Sequence, residues 1–208
     1  MNNKRLYFIA SLLKGFNKIL DIGTDHGLVI KYAIDYFGVS YAIASDINIK
    51  PLTQAKKNLI NYNVDFVISD GFLNVKQEVD ATIITGMGAK TIMDILANNN
   101  TNSTLILGPN NKEELLRKYL LENNYCIIDE KLIYDDFYYV ILIVKKGNMN
   151  LNEKEIILGK YLYKEKEYLS FIKHRLNIYE NINKLTKDKK DIYELYLNEY
   201  KKLINNNF

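Results

Sequence analysis

Four aspartates, two glycine turns and one asparagine carry the chemistry that this sequence offers. Asp21, Asp46 and Asp70 each stand in or at the end of a short apolar run, and Asp25 and His26 lie between Gly23 and Gly27. A carboxylate at the end of a buried strand can accept hydrogen bonds from a ribose diol, as in nucleoside-binding α/β sheets. It can equally face an exocyclic amine or an ammonium group. Gly23 stops its strand, and Gly27-Leu28-Val29-Ile30-Lys31-Tyr32-Ala33-Ile34 then reads as a helix. A strand that ends in glycine and turns straight into a helix leaves backbone N–H groups beside a ligand, with no side chain in the way. Gly71 follows Asp70, a second turn runs Gly86-Met87-Gly88-Ala89-Lys90, and Asn110 follows a later strand end at Gly108-Pro109. Asp46 lies about 20 residues beyond Gly27, the spacing at which an acidic group meets a cofactor ribose.

The turn itself discriminates between cofactors. A dinucleotide fingerprint wants G-x-G-x-x-G, whereas here Thr24, Asp25 and His26 separate the two glycines. Those side chains crowd a pyrophosphate, and the Asp25 charge repels one. S-adenosylmethionine carries no phosphate and has ammonium and sulfonium groups that an acidic residue suits. Asp25 is also a good N-cap for the helix that follows, and capping is compatible with ligand contact. His26 reads equally as a packed, hydrogen-bonded histidine at a strand end.

The elements that must position these residues alternate along the chain. An amphipathic helix over 3–14 opens it. Strands follow at Lys18–Ile22, Tyr41–Ile47, Val64–Ser69, Asp80–Thr85 and Ser103–Gly108, with helices between them, one of them over Leu52–Tyr62 with Pro51 at its first turn. Lys112–Glu122 reads as a further helix. Tyr125–Tyr134 and Phe137–Lys145 are then two strand-like runs with only Asp135-Asp136 between them, which makes a hairpin. Five β-α repeats closed by an antiparallel hairpin is the arrangement of the class I methyltransferase sheet, an α/β, Rossmann-like fold. The strand ends at Gly23, Asp46, Asp70, Gly86 and Pro109 then line one edge, where ligands bind in open α/β sheets.

From Asn150 onward the pattern is helical. Leu162, Leu169, Ile172, Leu176 and Tyr179 form one apolar seam; it breaks around Thr186-Lys187-Asp188 and resumes with Ile192, Tyr196, Tyr200 and Leu203. Two such helices predict a C-terminal helical hairpin, an antiparallel coiled coil over 149–208 that leans on a main domain over 1–148. His174 on it reads as a surface residue. Of the 208 residues, 1–148 carry 16 Lys+Arg and 16 Asp+Glu, while 149–208 carry 12 and 9, so all of the net charge of +3 lies in the tail. This is a modest pointer to a polyanionic partner. The single cysteine, Cys126, excludes an internal disulfide and a cysteine-cluster metal site. No signal-peptide run or membrane span is read, and no metal, so a cytoplasmic monomer is expected.

Together these residues resemble the TrmK family, bacterial tRNA adenine-22 N1-methyltransferases. Asp21-Ile22-Gly23-Thr24-Asp25-His26-Gly27 is similar to the family's D-I-G-[ST]-D-H-[AG], and Asp70-Gly71, Gly86-Met87-Gly88, Pro109-Asn110 and the Glu130–Tyr139 hairpin fit as well. Departures are Gly108 where the family usually has glutamine, Ala89 for a common third glycine, and Leu28-Val29-Ile30 for Y-L-P. The resemblance implies S-adenosylmethionine as donor, tRNA as substrate and a coiled-coil tail. It implies a cofactor site of Asp21, Gly23, Asp25, His26, Gly27, Asp46, Ile47, Asp70, Gly71 and Gly86. For the base it implies Asp25, Gly86, Met87, Gly88 and Asn110, with Lys4, Arg5 and Arg117 as phosphate contacts.

Adenine N1 has a lone pair in an unpaired base and needs no strong base to attack a sulfonium methyl, so positioning dominates. An adenine within tRNA must be flipped out and stacked. Tyr134, Phe137 and Tyr138 lie near the right end of the hairpin for that, with no one of them singled out. Two other readings stay open: a methyltransferase of the same fold acting on another RNA or a small molecule, its hairpin used for dimerisation, and a nicotinamide-dependent oxidoreductase or non-catalytic nucleotide-binding module.

Overall fold

Alternate residues of one strand divide the core in two. In β1 (Lys18–Ile22), Ile19 packs into one apolar cluster while Leu20 and Ile22 pack into another on the opposite face of the sheet. The strand is therefore buried on both sides and is mostly apolar, as parallel strands are, with Asp21 the one polar residue among its buried positions. The computed structural model describes residues 3–99, 101–182 and 184–205. Seven strands lie in the order β3-β2-β1-β4-β5-β7-β6. Here β2 is Tyr41–Asp46, β3 Val64–Ile68, β4 Ala81–Met87, β5 Thr104–Pro109, β6 Tyr125–Asp135 and β7 Phe137–Lys146. The first five are parallel, and β7 joins β5 antiparallel with β6 outside it. The expected class I methyltransferase sheet is what forms.

Helices cover the two faces unequally. On one face lie α1 (Lys4–Ser11), α2 (Leu28–Phe37) and α3 (Ile49–Asn58), which bury Ile9, Ile30 and Leu52. On the other lie α4 (Ala89–Leu96), α5 (Glu113–Glu122) and the C-terminal helices. Bounds differ from expectation at three places. The opening helix ends at Ser11, and α3 begins at Ile49, which puts Pro51 third in the helix. That position tolerates proline because its N–H has no partner within the helix. Strand β4 runs through Gly86 to Met87 with a register shift between Thr85 and Met87, so the second glycine turn opens as a bulge at the strand end.

The tail is three helices rather than two: α6 (Glu153–Leu158), α7 (Tyr168–Glu180) and α8 (Lys187–Asn205), with a 3-10 turn at Leu162–Lys164. A buried ion pair explains the break. Arg117 Nε donates to Glu130 Oε1 at 2.7 Å, both side chains wholly buried. Arg117 Nη1 donates to the Ile156 carbonyl at 2.9 Å, near the end of α6, and Tyr161 N donates to Glu130 Oε2 at 2.8 Å. Between those two contacts the chain turns at Gly159, φ 87°, where a Cβ would stand 2.8 Å from Leu162 and 3.1 Å from Arg117 Nη2. Tyr168, Phe171, Ile172 and Leu176 form the buried face of α7, and Tyr196 that of α8, in the same apolar cluster as Leu20 and Ile84. The seam expected at Leu169 is carried one residue earlier, by Tyr168.

Candidate active site

The chain leaves β1 towards β2 and β3 on one side and returns to β4 and β5 on the other. A crevice opens where such a reversal occurs, outside the carboxyl ends of the strands. One compartment of about 330 Å³ is lined by Asp21, Asp25, His26, Gly27 and Arg5 among others. A second of about 430 Å³ is lined by Ile47, Asp70, Gly71 and Asp94. Gly23, Asp46 and Met87 line both. The ten residues expected to hold the cofactor thus all line one rim.

Local conformation explains the glycines that matter. Gly23 has φ 81° and donates its N–H to the Ser45 carbonyl at 2.8 Å. A Cβ there would overlap the Met87 methyl, which rests over this turn. Gly27 has φ 70° and would meet Leu59 at 2.5 Å. Gly27 is itself the N-cap of α2, with no side-chain cap, so the capping expected of Asp25 is not formed. Asp25 instead points outward beside His26, Oδ2 to Nε2 3.3 Å, with both side chains exposed.

Burial sets the electrostatics of the inner carboxylates. Asp21 is buried, and desolvation pushes its pKa up to about 6 against the lowering effect of the Thr24 hydroxyl, with the Asp46 charge adding to the rise. Thr24 Oγ1 donates to Asp21 Oδ2 at 2.5 Å. Asp46 Oδ1 accepts from the Asn48 amide at 2.7 Å. Asn110 ties the neighbouring strand ends together: its side-chain amide donates to the Gly86 carbonyl at 2.7 Å and its backbone N–H to the Met87 carbonyl at 2.8 Å. Gly88 caps α4 in extended conformation. Gly108 has no room for a side chain, since a Cβ would lie 2.8 Å from Ile141 and 2.9 Å from Thr85.

A different compartment adjoins this rim. It is lined by Arg5, Asn110, Asn111, Phe137, Tyr138, Tyr139, His174 and Arg175. Arg5 borders both this cleft and the first. Its guanidinium lies 4.5 Å from the Tyr139 ring centre and its backbone N–H donates to Asp135. Lys4 Nζ donates to the Tyr134 carbonyl at 2.7 Å and is exposed. The third expected phosphate contact is corrected: Arg117 is fully buried in its pair with Glu130 and cannot meet RNA. His174 is exposed, as expected of a surface residue, and its ring stands 5.2 Å from that of Tyr138 at this second cleft. Partial burial, with the Arg175 charge beside it, holds the His174 pKa below its usual value. Tyr139, Asn111 and Arg175 were not anticipated. The run Phe137-Tyr138-Tyr139 directly after a turn was the available signal, while nothing local marks residue 174.

Fold and rim define the class: the chain belongs to the methyltransferase-domain family, whose pattern matches residues 2–142. Within that class it is similar over nearly its whole length to TrmK of M. capricolum, solved with the cofactor product S-adenosyl-homocysteine. The two share 28% identity with a TM-score of 0.78, covering 99% of this chain and 98% of the other. The M1A22 tRNA methyltransferase TrmK of B. subtilis shares 26% identity with a TM-score of 0.75, covering 97% and 96%. In sequence, a curated tRNA (adenine(22)-N(1))-methyltransferase of Bacillus subtilis is 33% identical over 99 residues, 45% of this chain. That match spans 42% of the relative's length, less than half. The resemblance to TrmK read from the motifs is borne out. Among the described residues no helix is long and apolar enough to cross a membrane, and no group of three or more His, Cys, Asp or Glu residues could hold a metal.

Proposed function

We propose that the protein transfers a methyl group from S-adenosylmethionine to N1 of adenine 22 in tRNA. One observation carries the reading: a crevice lined by Asp21, Asp25, Asp46 and Asp70 shares its edge with a cleft lined by arginines and aromatic rings. With Asp94 these make five carboxylates against a single arginine, which repel phosphates and suit a cationic, phosphate-free donor. The same rim next to stacked aromatics and arginines suits a nucleotide within a polyanion.

When bound, S-adenosylmethionine supplies an electrophilic methyl group on a sulfonium. The chain's own residues bind and orient. Asp46 holds the ribose hydroxyls through the oxygen not taken by Asn48. Asp70, with Gly71 and Ile47, meets the adenine end of the donor, and Asp21 and Asp25 face its cationic end, with His26 and Gly27 beside them. Gly86, Met87 and Gly88 bring bare backbone to the acceptor base. Asn110 donates one amide hydrogen to the Gly86 carbonyl, which fixes the side chain and leaves its own carbonyl oxygen to accept from the exocyclic amine next to N1. No residue removes a proton, because N1 reacts through its lone pair and alignment supplies the rate. Gly108 contributes no side chain, so Asn110 reads that edge without help from its neighbour.

The division near residue 148 is then one of labour: 1–148 carry the donor crevice, and the helical tail of 149–208 lends His174 and Arg175 to the acceptor cleft and positive charge to tRNA. Lys4 and Arg5 are the phosphate contacts that remain. The protein works as a monomer without a metal, in the cytoplasm where tRNA is found. The test is methyl-labelled S-adenosylmethionine with unmodified tRNA transcripts carrying adenine or guanine at position 22. Label recovered as N1-methyladenine on the adenine transcript alone is the expected result. Label on both discards the position, and none, with S-adenosylhomocysteine still bound, favours another RNA or a small molecule as acceptor.

A further inference from the structure

Three aromatic residues in succession, Phe137, Tyr138 and Tyr139, line the second cleft, and two of them already have partners. Tyr138 packs among Tyr134, Phe171 and His174, with ring centres 4.9, 5.6 and 5.2 Å away. Tyr139 has the Arg5 guanidinium 4.5 Å over its ring. Phe137 has neither a ring nor a cation against it among the described residues, and it is 68% exposed. An exposed phenylalanine is not in itself informative, and Tyr36 and Tyr163 are nearly as exposed elsewhere. What distinguishes Phe137 is its place. It follows the tight turn at Asp136, φ 60°, in strand β7, which pairs with β6 right up to that turn. Its backbone is therefore held while its ring stands free.

We propose that Phe137 is the stacking platform for the flipped acceptor base, with Tyr138 and the tail's His174 forming the adjoining wall of the pocket. The inference rests on the adenine-N1 reading and assigns the ring that reading needs. The held backbone keeps the ring at the cleft, its faces open, and every base offers a face to stack on, so the platform supplies affinity and alignment without reading sequence. Base identity is left to the Asn110 edge. Because His174 belongs to the tail, the tail helps build the pocket as well as adding charge.

The test compares wild type with Phe137→Ala, Phe137→Leu and Phe137→Trp on an unmodified tRNA transcript with adenine at position 22. Binding of S-adenosylhomocysteine is measured by calorimetry on each. Phe137→Ala is expected to lose about 10- to 100-fold in kcat/KM. Phe137→Leu, which keeps apolar bulk without a ring, should stay low, and Phe137→Trp should return to within about threefold of wild type. S-adenosylhomocysteine affinity should be unchanged throughout. Full activity of Phe137→Ala, recovery by leucine equal to that by tryptophan, or a parallel loss of S-adenosylhomocysteine binding would each overturn the platform. A wild-type protein that binds S-adenosylhomocysteine but methylates no tRNA adenine would remove the parent reading, and the inference with it.

Discussion

The donor crevice and the acceptor cleft share an edge yet are assembled in opposite ways. Asp21, Asp25, Asp46 and Asp70 each sit in or within a few residues of the end of β1, β2 or β3, and parallel pairing brings those ends to one rim, with Asp94 of α4 beside them. The cleft draws on residue 5, residues 110 and 111, the hairpin at 137–139 and α7 at 174 and 175. One is acidic and follows from strand order alone. The other is cationic and aromatic, and exists only because α1 and α7 dock on either side of the same hairpin. Under the proposed function, the difference teaches that donor binding needs the sheet, whereas acceptor binding draws on segments from α1 to α7.

The largest way to break that contrast is to cut the tie between tail and sheet. Arg117→Leu leaves Glu130 buried without a partner and should cost about 3–5 kcal/mol, read by urea unfolding. Removing both charges with Glu130→Leu should recover most of it. A weaker salt dependence of tRNA binding with stability intact would instead return Arg117 to the phosphate contacts. Next comes Asp21, whose carboxyl keeps a proton up to about pH 6 in the folded chain but releases it near 3.8 when unfolded. The folded state binds the extra proton in that window, so stability falls as pH rises from 3.8 to 6 and stays lower above it. Asp21→Asn should stabilise the free protein at pH 7 by up to about 3 kcal/mol, and flatten that profile in thermal unfolding. A cationic donor favours ionised Asp21, so its affinity should rise from pH 5 to 7 in wild type and lose that dependence in the variant.

Smaller effects test each compartment alone. Asp46→Ala should weaken S-adenosylhomocysteine by about 10- to 100-fold in calorimetry, the worth of a charged hydrogen bond, and leave tRNA affinity unchanged. Arg5→Gln should do the reverse, lowering the slope of log K for tRNA against log salt by roughly one unit, with donor affinity held. An Asp46 effect on tRNA, or an Arg5 effect on the donor, would merge the two clefts into one.

The same contrast explains what could be read in advance. The strands, the hairpin and the rim aspartates were legible because each depends on residues adjacent in sequence: an apolar run, a glycine, an acid. Arg117 was misread because a lone arginine on a helix looks solvated, and its partner Glu130 lies 13 residues on, in the next strand. The tail was expected as two helices because Gly159 alone does not announce a break. The break follows from the buried pair holding the chain on both sides of it. The cap expected of Asp25 failed because Gly27, at φ 70°, starts the helix two residues later. His174 could not be found locally, since its neighbours in the cleft other than Arg175 are more than 30 residues away in sequence.

The stitch between α1 and the hairpin has a consequence for how the chain comes into being. Lys4 and Arg5 are synthesised well before their partners, the Tyr134 carbonyl and the Asp135 carboxylate, which lie 130 residues later. At ribosomal speeds of about 5–20 residues per second, that is several seconds of waiting. During that interval the parallel strands already made have the segments they pair with, while the amino-terminal helix has no hairpin to dock against. The edge where donor and acceptor are to meet is thus late to close, because its α1 side is made long before the hairpin that holds it.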